Sequence, residues 1–180
     1  MKKRILIVLM VLILAASFVY AENNVLFATV SPFAMQNVET SWDSSYYSDF
    51  GWGVRAGYRR FVGPLLIGAD LGYQGFKQPT TELVLTSVQL LAKVGGKVTL
   101  FENADLNAEL GGGVEMAVSR HIINILPVFA GNFSLSSYVK PNMAVVIGTD
   151  FSLTWPKTKN STYKATVWNL GVNVGLEYDF

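Results

Sequence analysis

The chain contains no cysteine, and His121 is its only histidine. Disulfide staples, thiolate nucleophiles and cysteine-ligated metals are therefore excluded, and a zinc site would lack a second imidazole. No metal and no cofactor are expected. Helical periodicity is missing as well: beyond residue 21 no segment repeats its apolar positions every 3.6 residues. Nor is there a run of lysine and arginine of the kind that reads phosphate, so nucleic acid is not an expected partner. Charge of either sign is sparse at 15% of residues, too little to cover a water-facing surface in the usual way.

What is present begins with a basic start, Lys2, Lys3 and Arg4, an apolar run from Ile5 to about Ala16, and Val19-Tyr20-Ala21 before Glu22. That is the layout of a secretory signal peptide cut after Ala21. Export would leave residues 22–180, a single-domain length. Of the 14 basic residues three belong to the signal, so 11 would face 13 acidic ones, a net of about −2.

The remainder alternates. From Trp168 to Phe180 every even position is apolar and every odd one is polar or glycine, the period of a strand with one face in an apolar medium. This stretch is long enough for a tilted crossing of a membrane, which needs about 9–11 residues. The same pattern recurs at intervals near twenty residues. A first strand is expected near Val25 to Met35, apolar on both parities and carrying Pro32, followed by a long polar loop at 36–49.

Sharper strands set Phe50, Trp52, Val54, Ala56 and Tyr58 against Arg55 and Arg59, then Leu65, Ile67, Ala69, Leu71 and Tyr73 against Asp70, with a tight turn at Val62-Gly63-Pro64. A fourth strand from Val84 puts Lys93 and Lys97 on its polar face, and a fifth, after Phe101-Glu102-Asn103, puts Asp105, Glu109 and Glu115 there. A loop at Ser119 to Asn124 leads to a sixth strand at about 125–136, in which Pro127 argues for a bulge or a misplaced start. A turn at Ser137 to Asn142, a seventh strand from Met143 to Trp155 carrying Asp150, and a polar loop at 156–164 complete the count.

Eight strands with alternately long and short connections give an all-β fold, an eight-stranded antiparallel up-and-down transmembrane β-barrel. Lipid is expected outside and not inside for two reasons. The polar faces hold few long charged side chains and most of the 16 glycines, as a crowded interior requires. The apolar faces end in Trp52, Tyr58, Tyr73, Trp155, Trp168, Tyr178 and Phe180, like aromatic belts at two membrane interfaces.

The terminal G-L-E-Y-D-F, with Tyr178 and Phe180 on the apolar face, is similar to the C-terminal signal that the β-barrel assembly machinery recognises in outer-membrane barrels. With the signal peptide and strand count, the chain resembles small porin-like proteins of the OmpX, OmpW or opacity-protein type. The resemblance implies a bacterial outer-membrane protein, a monomer surrounded by outer-membrane lipid, with Tyr178 and Phe180 as assembly signal. It implies a small porin-like channel or a binder of small, even hydrophobic, solutes. The alternative is a structural or host-contact surface protein with a plugged lumen.

The lumen-lining charged residues expected from the alternation are Arg55, Arg59, Asp70, Lys93, Lys97, Asp105, Glu109, Glu115, Asp150 and Glu177. Shut inside a narrow barrel they must pair, and they read either as a plug or as the lining of a polar path. No catalytic residue is assigned: His121 lies beside Ser119 in an outer loop without a carboxylate placed to orient it. Asn160-Ser161-Thr162 reads as an ordinary turn despite its sequon pattern, and Trp42, Tyr46 and Tyr47 as rim aromatics.

Overall fold

A computed structural model describes residues 23–40, 47–77, 84–119, 122–156 and 165–180. Eight strands form: β1 (Asn23–Thr40), β2 (Tyr47–Val62), β3 (Leu65–Lys77), β4 (Val84–Phe101), β5 (Ala104–Ser119), β6 (Ile122–Lys140), β7 (Met143–Thr154) and β8 (Ala165–Asp179). Each pairs antiparallel with its neighbour in sequence, and β8 returns to β1 to close the barrel, with Val25 opposite Asp179 and Thr40 opposite Ala165. Closure leaves no free edge, so every strand finds backbone partners on both sides. The backbone N–H of Phe180 adds a bond to the Asn24 carbonyl at 2.9 Å, just past the end of β8.

Three two-residue turns, Gly63–Pro64, Glu102–Asn103 and Pro141–Asn142, lie at one end of the barrel with Asn23 and Phe180. This is the turn end; the opposite one is the loop end. Gly63 has φ +58°, the left-handed conformation that a two-residue hairpin asks of its first central residue.

The strands reach further than the alternation predicts. Within the expected loop at 36–49, residues 36–40 and 47–49 are strand, because β1 runs on to Thr40 and β2 begins at Tyr47, and 41–46 lie outside the described residues. The cause of the misreading is a β-bulge. One extra residue between Ser31 and Ala34 shifts the register against both β2 and β8. Val25, Phe27, Thr29 and Ser31 face in before it, Ala34 and Gln36 after it, so the apolar positions change parity at Pro32.

The predicted loop at Ser119 to Asn124 is likewise mostly strand, since β5 ends at Ser119 and β6 starts at Ile122. Pro127 causes no bulge: the β5–β6 register runs unbroken from Ser119↔Ile122 to Ala104↔Ser137. Pairing to β7 begins only at Val128, so one side of the strand is open at Pro127 and a missing donor there is tolerated. The turn expected at Ser137 to Asn142 narrows to Pro141–Asn142, Trp155 falls just beyond β7, and β8 starts three residues before Trp168. The signal peptide expected at 1–21 lies outside the described residues.

The barrel is inverted relative to a water-soluble one. Leu26, Val30, Leu71, Leu90, Val94, Val98, Leu110, Phe133, Ile147, Val172 and Val174 all point outward and are 40% or more exposed. Arginine, lysine, aspartate, glutamate, asparagine and glutamine fill the interior. A contiguous outer apolar band of this extent is stable only in hydrocarbon. Missing side chains make room within: a Cβ on Gly57 would meet Phe27 Cε1 at 2.7 Å and Asp70 Cβ at 2.6 Å.

Candidate functional site

The ten charged residues expected to line the lumen all sit on the inner face. Their order along the axis follows from register. Lys97 and Asp105 lie at the turn end, 3.4 Å apart, with Thr99 Oγ1 donating to Asp105 at 2.7 Å. Above them Arg59 reaches Glu109 with Nη2 at 2.6 Å and Glu177 with Nη1, and its guanidinium lies 4.0 Å over the Phe27 ring. Lys93 Nζ sits 2.5 Å from Asp70 and 3.9 Å from Glu109. Arg55 Nη2 meets Asp150 at 3.0 Å, and its Nη1 lies 4.0 Å from Asp70.

Read in sequence, these contacts form one chain of alternating sign, Asp150–Arg55–Asp70–Lys93–Glu109–Arg59–Glu177, running across the lumen. None of its members is more than 8% exposed. A water-filled pore would leave its lining wet; here the side chains fill the waist. An unpaired ion at such a depth would cost several kcal/mol, about what the alternation is arranged to offset.

Neutral polar side chains complete the network, and the alternation alone did not single them out. Asn107 Nδ2 donates to Ser136 Oγ at 2.9 Å, and Ser136 donates to Glu177 Oε2 at 2.7 Å. Gln89 is fully buried and acts as a junction: its Nε2 donates to Glu115 Oε2 at 2.8 Å and Ser152 Oγ at 3.2 Å, while Arg55 donates to its Oε1 at 3.4 Å. Their parity marked them as interior, but only cross-barrel distance makes them partners.

The interior is not polar throughout, as the alternation had suggested. Val25, Phe61 and Leu66 form a buried apolar cluster inside the turn end, with Lys97 Nζ 4.5 Å over the Phe61 ring. Leu91, Val128 and Ala130 form a second one. The available signal was Leu66 and Leu91 standing on otherwise polar faces. At the loop end the lumen widens into a cavity of about 170 Å³ above Glu115.

Of the assembly-signal residues, Tyr178 is 48% and Phe180 62% exposed, both on the outer surface at the turn end. His121, Trp42, Tyr46 and Asn160-Ser161-Thr162 lie outside the described residues, as does the side chain of Tyr47.

No family model matches the sequence, and no curated protein does. Solved structures match the fold. Neisserial surface protein A aligns with a TM-score of 0.63 at 14% identity, covering 87% of this chain and 97% of that one. The outer membrane protease OmpT from Escherichia coli aligns at 0.52 and 8% identity, covering 89% and 97%. The outer membrane protein AlkL aligns at 0.52 and 8%, covering 89% and 90%. The chain thus has the fold of small outer-membrane barrels.

Proposed function

We propose that this is a bacterial outer-membrane protein whose barrel is sealed to ions and which serves as a structural or host-contact surface protein, presenting its loop end outside the cell. Export by a signal peptide at 1–21 and assembly through Tyr178 and Phe180 belong to this reading. The observation that carries it is the buried chain from Asp150 to Glu177, which fills the waist with side chains of alternating charge. Planar-bilayer recording tests it: the purified barrel should stay silent, and discrete conductance steps would overturn the sealed lumen. Membrane residence is checked separately. A heat-modifiable band in detergent is expected, whereas a monomer soluble without detergent would refute it.

A second reading, binding of small solutes, is favoured by one feature: the loop-end cavity, which lies above the plug and is lined by both polar and apolar side chains.

A further inference from the structure

Seven of the eight strands contribute to the loop-end cavity, which places it on the barrel axis. Its apolar wall includes Phe76, Leu126 and Val167, and Gln36, Thr154 and Glu115 supply polar atoms. At about 170 Å³ it has room for roughly six waters' worth of liquid volume.

Glu115 is what distinguishes this space. Seven acidic side chains face the lumen: Asp70, Asp105, Glu109, Asp150 and Glu177 each lie within 4.0 Å of an arginine or lysine, and Asp179, partly exposed at the turn end, accepts from the Tyr138 hydroxyl at 3.2 Å. Glu115, only 3% exposed, has no such cation among the described residues. Its bonding partner is the neutral amide of Gln89, through which the charge of Arg55 stands one residue away. Four basic residues therefore face seven acidic ones among the described residues of the lumen, and at the loop end the excess is Glu115, at the wall of the cavity. A carboxylate buried without a counter-ion is relieved either by a proton or by a cation that reaches it.

We propose that this cavity binds a small organic cation, a primary ammonium carried on a short apolar body, with the ammonium against Glu115 and the body against Phe76 and Leu126. The charge completes the alternation one step beyond Arg55. The aromatic and aliphatic wall selects an organic ion over a hydrated metal ion, which would have to shed its waters onto carbon. The inference rests on the second reading above and names its ligand class.

The test is amide chemical-shift titration of the detergent-solubilised full barrel with n-butylammonium, 1-butanol and butyrate, following residues around Phe76, Glu115 and Leu126. Butylammonium should bind at least tenfold more tightly than butanol, and butyrate should not bind. Glu115→Gln, which keeps the shape and a bond to Gln89, should bring butylammonium down to the affinity of butanol. Ala117→Leu, at another cavity-lining position, should abolish binding of both. Equal affinity of the ammonium and the alcohol, or no effect of Glu115→Gln, would overturn the cation assignment while leaving a solute site. No shift with any of the three probes would overturn the solute-binding reading itself.

Discussion

Arg59 is the tightest knot of the lumen and gives the sharpest test of the plug. Replacing it with methionine keeps much of the stem volume and a contact with Phe27 but removes the guanidinium between Glu109 and Glu177. Those carboxylates, 3% and 4% exposed, would then share a dry space with only partial compensation. Lys93 remains 3.9 Å from Glu109, and Ser136 still donates to Glu177 at 2.7 Å. Breaking a buried ion pair from one side costs about 3–5 kcal/mol. The residual partners put Arg59→Met near the lower end, at about 3–4 kcal/mol. Glu177→Gln alone should cost only about 1–2 kcal/mol, since Arg59 keeps Glu109 and the amide keeps Ser136. The double variant should then cost at least about 1 kcal/mol less than the sum, because it no longer strands a second carboxylate. Reversible denaturant unfolding in detergent micelles or lipid vesicles measures all three, with Lys77→Met at an exposed strand end as a control expected within about 0.5 kcal/mol of the parent. A loss below about 1 kcal/mol for Arg59→Met, or strict additivity in the double variant, would refute a cooperative plug.

Two further outcomes concern the outer surface. Val94 lies midway along the apolar run of β4 between Val88 and Leu100, and is 62% exposed. In vesicles Val94→Arg should destabilise by about 2–4 kcal/mol while Leu100→Arg, beside the turn end, costs about 0–1 kcal/mol; equal, negligible costs would mean the band meets water. Deleting Phe180 removes one backbone bond to Asn24 and an exposed ring. It should therefore cost only about 1 kcal/mol in refolding from urea yet sharply lower the amount of folded barrel in the outer membrane of cells. Undiminished assembly in cells would show that the terminal residue carries no signal.

The strand count, the inward and outward faces and the closing role of Trp168 to Phe180 were legible because a barrel wall imposes a period of two that no side-chain detail can hide. Legibility failed wherever that period broke or ceased to matter. The bulge between Ser31 and Ala34 moved the inward positions from odd to even, so Gln36 and its neighbours read as loop. Pro127 read as a bulge because the end of β7 could not be known from the residues around it. Leu66 fell on a face read as polar, although with Val25 and Phe61 it makes the apolar floor of the turn end.

By itself the sequence determined which face of each strand turns to the lumen, and with it the placing of the ten charged residues from Arg55 to Glu177, since parity is local. Tertiary structure alone decided which of them meet. Arg59 joins Glu109 and Glu177, the second 118 positions away, and Glu115 is left with a neutral amide. Those pairings depend on how far each strand slides along its neighbour and on where the eighth strand meets the first. Register summed around a closed ring sets the height of every side chain on the axis, and no stretch of sequence contains that sum.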